Sequence, residues 1–121
     1  TAEPLMPSPL AAILIGAVGG IIVVYGTKFL LAIKIDDVVG AIPAHLFAGI
    51  WGTLAVPITN SGASFGTQLL GIVSINAFVF VVSFIIWFLM KNTLGIRLSK
   101  DGETRGTDVT ETGVIAYAIR D

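Results

Sequence analysis

The sequence lacks cysteine and carries little charge, and both features narrow the classes of protein to which it can belong. Without cysteine the chain can form no disulfide and no thiolate metal site. It has 7 basic and 8 acidic residues, and its net charge of -1 gives no basic excess of the kind that binds nucleic acid. Charged residues make up only 12% and hydrophobic residues 55%, with a mean hydropathy of +0.91. These values are typical of an integral membrane protein, whose first partner is the lipid bilayer.

Residues that perform covalent chemistry are also scarce. His45 is the only histidine, and the long apolar tracts contain no carboxylate. A zinc site needs three or four His, Cys or carboxylate ligands, and a hydrolytic site needs a nucleophile beside a base. We therefore expect no metal, no cofactor and no enzymatic activity.

The few charged residues are grouped so that three long uncharged tracts remain between them. Each tract is long enough to cross a hydrocarbon core of about 30 Å as a helix. The sequence therefore predicts an all-α membrane protein with a transmembrane region over residues 1–90 and an irregular or partly helical tail over 91–121. The three transmembrane helices are expected at about 9–31, 38–58 and 67–90.

Basic residues follow the first and third tracts but are absent from the connection between the second and third. Cytoplasmic connections of membrane proteins carry an excess of lysine and arginine. We therefore expect the N-terminus to lie outside the cell (inner) membrane, and the first connection and the tail to lie in the cytoplasm. The residues concerned are Lys28 and Lys34 in the first connection, and Lys91, Arg97 and Lys100 after the third tract.

His45 lies within the second tract, among small residues at helical spacing: Ala41, Gly49 and Gly52. Small faces favour close helix packing, so we expect His45 to point towards other helices rather than towards lipid. One interpretation is a structural hydrogen bond between helices. The other is a conduction path, because a neutral imidazole both donates and accepts and titrates near neutral pH. The residues alone favour the two interpretations equally.

Positions around His45 have simpler interpretations. Asp36 and Asp37 precede the second helix, where carboxylates complement the helix dipole, and we favour this over a solute site. Trp51, at mid-span, is typical of packing. Small residues also recur every fourth position in the first tract, and such stripes let helices approach closely. That stripe consists of Ala12, Gly16 and Gly20.

Two segments carry recognisable motifs. Residues 35–56, IDDVVGAIPAHLFAGIWGTLAV, contain an Asp-Asp pair, a histidine eight residues on, and Gly-x-x-Gly. This segment resembles the penultimate transmembrane helix of the ammonium transporter family (Amt/Mep/Rh). Residues 106–117, GTDVTETGVIAY, resemble the C-terminal motif of the same family. Its matching positions are Gly106, Asp108, Gly113, Ala116 and Tyr117.

The resemblance implies a fold and a function. Members have eleven spans, of which these three would be the last, and they conduct ammonium or ammonia through a narrow hydrophobic pore. His45 would be the second of two pore histidines that share a hydrogen bond, help to deprotonate ammonium and relay the proton. The tail would pack under a neighbouring subunit of a homotrimer and transmit regulation, including by PII-type signalling proteins.

The chain departs from the family pattern at several positions. Gly40 stands where some members carry an acidic residue, five positions before the histidine. In the tail, Thr112 replaces the usual histidine, and Val114 and Ile115 replace polar residues. The resemblance keeps a regulatory hinge at Gly113 but implies different contacts around it.

Three functions remain open from the sequence. The leading hypothesis is the C-terminal part of an ammonium transport channel, and a chain that begins with Thr1 favours a fragment of a longer protein. The second is the membrane module of an ammonium sensor with a fused signalling domain. The third is a three-span structural protein in which His45 lines no cavity.

Overall fold

The computed structural model describes residue 3 and residues 5–116, and within that part the chain is helical without any strand. Three helices are long and apolar enough to cross a membrane, which confirms the all-α fold class with three transmembrane helices. The helices are α1 (Pro9–Ala32), α2 (Ala48–Thr59), α3 (Phe65–Thr93) and α4 (Lys100–Arg105). Two π-helical segments occur at Ile42–Phe47 and Asp108–Thr112, and the first continues directly into α2.

Helix α1 begins where the sequence provides a cap. Ser8 has an extended backbone, and its hydroxyl accepts a hydrogen bond from the Ala11 N–H at 3.2 Å. Pro9 occupies the first helical position, where its missing N–H costs nothing. The helix ends at Ala32, and Lys34 follows with a φ of 60°, a left-handed conformation that turns the chain towards the second span.

The second span (Ile42–Thr59) starts four residues later than the predicted start at 38. Gly40 has a φ of 70°, and a residue in the left-handed region cannot continue a right-handed helix. Pro43 then adds a second disturbance, since it has no N–H and its ring displaces the preceding turn. The chain responds with the π-helical turn Ile42–Phe47, which closes with the Ala48 N–H donating to the Pro43 carbonyl.

The first and second spans touch at one tight point. Gly26 and Pro43 are both buried, and a Cβ on Gly26 would lie 2.7 Å from Phe47 Cδ2 and 3.0 Å from Pro43 Cβ. Further along α1, Trp51 Nε1 donates to the Ile15 carbonyl at 3.0 Å. The absence of a side chain at Gly26 therefore allows the two helices to approach.

The small-residue stripe that carries this contact differs from the one expected. A Cβ built on Gly16 or Gly20 would meet nothing within 4 Å, whereas Gly19 faces Trp51 and Gly26 faces Phe47. Gly19 and Gly26 are seven residues apart, so they lie on one face two turns apart. Gly16 and Gly20 of the expected stripe make no such contact in the described part of the chain, although Gly16 lines an open groove between α1 and α2.

Helix α3 is the most exposed of the three long helices. None of its residues is buried, and Phe80, Phe84 and Phe88 stack in succession along its surface with ring centroids 6.2 Å apart. Such an apolar surface is stable only against lipid or other helices. The chain forms two compact units that divide within this helix, at Phe78 and Val79.

The tail forms a small capped structure at the end of the second unit. Ser99 caps α4 by accepting from the Gly102 N–H at 3.2 Å, and Thr110 Oγ1 donates to the Gly102 carbonyl at 3.3 Å. Gly106 and Gly113, with φ of 100° and 69°, end the two helical segments. Local hydrogen bonds hold this part of the chain, and no large apolar side chain is buried among its described residues.

One ion pair spans this structure. Arg97 donates to both carboxylate oxygens of Glu103, and the Nη2 to Oε2 distance is 3.1 Å. These hydrogen bonds lower the pKa of Glu103 and raise the pKa of Arg97. Both side chains are exposed, so solvent screens the pair and the energy involved is small.

We predict that replacing Gly26 with alanine weakens the contact between the first two spans. The added Cβ collides with Phe47 and Pro43, and overpacking of this kind costs about 1–3 kcal/mol. The measurement is the thermal unfolding of the purified full-length protein in detergent. Gly20→Ala is the matched control, because its Cβ meets open space and alanine favours helix. Equal unfolding temperatures for the two variants would contradict the contact.

We also predict that acid releases the Arg97–Glu103 pair. Because the pKa of Glu103 is lowered in the folded tail, its contribution is present above the ordinary glutamate pKa and is lost as the pH falls through the lowered value. The Arg97 Nε–H resonance, followed by NMR in selectively labelled protein, should shift across that acid range. Glu103→Gln should abolish the shift, whereas Glu111→Gln should leave it unchanged.

Candidate functional site

A groove of about 320 Å³ lies between the second span and the first half of α3, and His45 is at its wall. The second span contributes His45, Gly49 and Thr53 among others, and α3 contributes Gln68, Ile72 and Asn76 among others. His45 is exposed and makes no hydrogen bond within the part of the chain that the structure describes. The histidine therefore presents both ring nitrogens to the groove or to groups outside this chain.

The packing of the second span on α1 sets the direction of His45. Pro43 and Phe47 both face Gly26 of α1, and they flank His45 at two positions on either side. Each helical residue turns the chain by about 100°, so two residues turn it by about 200°. His45, two residues from each of them, therefore lies on the face opposite to Pro43 and Phe47. His45 therefore points away from α1 and towards α3.

The histidine also lies inside the π-helical turn Ile42–Phe47. Turns of this kind are rare and occur frequently at functional sites, because the extra residue re-aims the side chains on either side of it. The sequence gives one visible signal for it, Pro43 two residues before His45. Proline inside a helix commonly kinks it, and the structure has a widened turn here.

The four residues predicted to pack near His45 have different surroundings. Trp51 packs over Gly19, with the indole Cδ1 3.8 Å from the position of a Cβ there. Gly49 and Gly52 face open space, and they line a second groove of about 300 Å³ between α1 and α2. Ala41 directly precedes the second span, and its N–H donates to the Asp37 carboxylate.

The two residues of the acidic pair have different surroundings, and only one of them caps the helix. The Asp37 carboxylate accepts from the Ala41 N–H at 2.8 Å and from the Ile42 N–H at 2.7 Å. These donors begin the second span and have no partner within the helix, so the carboxylate completes the helix start. Asp36 is exposed and takes no part in this cap.

The polar residues Gln68 and Asn76 of α3 carry no specific functional signal in the sequence, and neither does Thr53 of the second span. The structure brings all three to the groove that His45 lines. Gln68 and Asn76 share one face of α3 with Gly71, Ile72 and Ile75, as helical spacing requires. The importance of this face becomes visible only when the position of the second span beside it is known.

The predicted tail residues belong to the second unit and are described separately. Asp108 Oδ2 accepts from the Ala116 N–H at 2.8 Å, and Gly106 and Gly113 supply the left-handed turns that bracket Asp108. Tyr117 lies outside the described residues. Within residue 3 and residues 5–116, no three His, Asp or Glu side chains gather as metal ligands.

We predict that removing the Asp37 carboxylate frays the start of the second span. Loss of a helix-capping side chain lowers the stability of the helix by about 0.5–2 kcal/mol, and the first turn is the part destabilised. Hydrogen exchange at the amides of Ala41 and Ile42 should accelerate in Asp37→Ala, by about tenfold for each 1.4 kcal/mol. Asp36→Ala is the control, and equal acceleration in both variants would refute the cap.

Comparison with known proteins identifies relatives of the chain. Amt2 of Archaeoglobus fulgidus, an ammonium transporter, is 32% identical and covers 90% of this chain. The putative ammonium transporter sll1017 of Synechocystis is 39% identical over 85% of the chain, and the ammonium transporter of Bacillus subtilis is 31% identical over 91%. The chain spans 28%, 24% and 31% of the lengths of these three relatives.

No solved structure matches the chain significantly. The model of the Ammonium Transporter Family, in contrast, matches residues 1–117, nearly the whole sequence. The three membrane-spanning helices and the family match together make the chain part of an integral membrane protein. The chain belongs to the ammonium transporter family.

Proposed function

We propose that the chain supplies the last part of an ammonium transport channel, with His45 in the conduction path. One observation carries this proposal: the only histidine lies at membrane depth, lines a groove and has no partner within the described residues. An ionisable group in a transmembrane segment is costly and is usually retained for a pathway or relay.

The imidazole offers suitable chemistry. A neutral ring nitrogen accepts a proton from ammonium, and the other nitrogen passes a proton to a second group. The family resemblance suggests that this second group is another histidine, from a segment outside this chain. The neutral ammonia that remains then crosses an apolar wall at far lower cost than the cation.

The distribution of basic residues supports one orientation. Lys28 and Lys34 lie near the end of the first span and just after it, and Lys91 and Arg97 are placed in the same way at the third, which favours a cytoplasmic first connection and tail. The loop over residues 60–64 then lies outside, at the outer end of the groove. The membrane is the cell (inner) membrane in this proposal.

The tail is proposed as the regulatory and assembly element. It exposes Val109, Val114 and Ile115, with Val114 and Ile115 at 64% and 71% of full exposure, and its described residues, up to 116, bury no large apolar side chain. Exposed apolar side chains on a solvated segment favour docking to another surface. Following the family, we propose a neighbouring subunit of a homotrimer as that surface and a PII-type signalling protein as regulator.

We predict that His45→Ala abolishes or strongly reduces ammonium-dependent current in membranes that hold the full-length protein. A positioned proton-transfer group contributes typically about 10²-fold or more to the rate of a step. Ser74→Ala is the matched control, because Ser74 is exposed on α3 and does not line the groove. Ammonium-dependent current is recorded for both variants and for the unmodified protein.

The outcomes separate the hypotheses. An unchanged current in a folded His45→Ala variant would make the histidine structural. A current lost equally in Ser74→Ala would point to misfolding rather than to the path. No current in the unmodified protein would favour an ammonium sensor over a transporter.

A further inference from the structure

Trp51 makes the one side-chain hydrogen bond that joins two spans in the part of the chain that the structure describes. Its indole Nε1 donates to the carbonyl of Ile15 on α1, at 3.0 Å. Other polar side chains of the spans donate to carbonyls of their own helix, as Thr27, Thr53 and Asn76 do. The bond of Trp51 therefore contributes nothing to its own helix and acts only between α1 and the second span.

Gly19 keeps the acceptor of this bond accessible. It lies one turn after Ile15 on α1, and a helical side chain covers the turn that precedes its own Cα. A Cβ on Gly19 would lie 3.8 Å from Trp51 Cδ1, so the indole rests directly on the glycine. The Trp51 N–H thus reaches a helix carbonyl that a larger side chain at position 19 would cover.

The hydrogen bond supplies a directional contact that the rest of this helix pair lacks. Pro43 and Phe47 meet Gly26 through apolar atoms, and apolar contact has no preferred direction. A hydrogen bond, in contrast, weakens steeply with misalignment, and carbonyls on one helix face recur once per turn, about 5.4 Å apart. An indole N–H without an acceptor is costly in a bilayer. The bond therefore selects one position of the second span along α1.

Trp51 can act on His45 only through the helix that carries both. Trp51 lines the groove between α1 and α2 and is not among the residues that line the groove beside His45. Six residues separate the two side chains, which corresponds to about 9 Å of rise. The π-helical turn and α2 form an uninterrupted helix between them, so a slide at Trp51 is transmitted to the histidine.

We propose that Trp51 is a positioning residue, which fixes the register of the second span along α1 and thereby the depth of His45 in the membrane. The Ile15 carbonyl is its acceptor, and Gly19 keeps that acceptor open. The inference rests on the proposed function, because the depth of the histidine affects transport only if the path passes it. A misplacement of about 1 Å at a reacting group costs about 10²-fold in rate.

A role in packing alone makes a different prediction. If Trp51 only fills space against Gly19, its shape matters and its N–H does not. Trp51→Phe keeps an aromatic ring and removes the N–H. A benzothiophene amino acid introduced at position 51 retains the shape of the indole and has sulfur in place of the N–H, so it separates the two roles.

The register is measured as a distance in the full-length protein, reconstituted in lipid. Spin labels are attached through Phe29→Cys and Ile58→Cys, two exposed positions, after replacement of any other cysteine. The two spans are antiparallel, so these labels lie at opposite ends of the pair and their separation runs mainly along the helices. We expect both changes at Trp51 to widen or shift the distance distribution, by up to one turn of about 5.4 Å.

Ammonium-dependent current is recorded for the same changes without labels. We expect the maximum current to fall by about tenfold to 10²-fold, because His45 no longer lies at its working depth. Gly19→Leu should reproduce both effects from the other helix, whereas Gly19→Ala should not, since its Cβ is at an ordinary contact distance. Trp87→Phe is the matched control, because Trp87 is exposed on α3 and makes no hydrogen bond among the described residues.

The outcomes decide between the roles. An unchanged distance in Trp51→Phe and Gly19→Leu would overturn the inference, and so would a benzothiophene analogue that behaves as the unmodified protein does. A shifted distance with an unaltered current would show a register that does not position His45. The distance measurement needs no transport, so a shift found in a protein that carries no current would support the fixed register and count only against the channel.

Discussion

The contact of Gly26 with Pro43 and Phe47 is the constraint on which the rest of the first unit depends. Pro43 and Phe47 can both reach α1 only because Gly26 has no side chain, and their contact with α1 turns the intervening His45 to the opposite face. The π-helical turn accommodates Pro43, which has no N–H to donate, and the chain continues directly from this turn into α2. The orientation of the histidine is thus decided by a glycine on another helix.

A second constraint comes from the bilayer, where polar groups must find partners within the protein. Most polar side chains of the spans do so on their own helix, as Thr27 and Thr53 do with carbonyls four residues back. Asp37 does so with the first N–H groups of the second span. The side chains of His45 and Gln68 make no hydrogen bond among the described residues, which is also true of Ser74 and Ser83, but of these four only His45 and Gln68 line the groove. Their place in the groove, together with their free polar atoms, marks these two positions as sites for another partner.

Sequence reasoning reached the three spans because hydropathy and charge grouping act over whole helices and need no knowledge of partners. It placed the start of the second span too early, because a left-handed Gly40 cannot be told from an ordinary helical glycine by composition. It singled out Ala12, Gly16 and Gly20 on α1, whereas the close contacts within this chain use Gly19 and Gly26, because the glycines populate more than one face and only the partner helix selects among them. The groove polar residues escaped notice for the same reason: their significance lies in a juxtaposition between two helices.

On the proposed function, the apolar wall of the groove and the position of His45 act together. A few polar side chains on two helices cannot surround an ion as the carbonyl rings of a potassium filter do. A cation without a transferable proton stays charged at the histidine and meets the full cost of an apolar wall. Ammonium can leave its proton on the imidazole and continue as a neutral molecule. Selection then follows from proton transfer at His45.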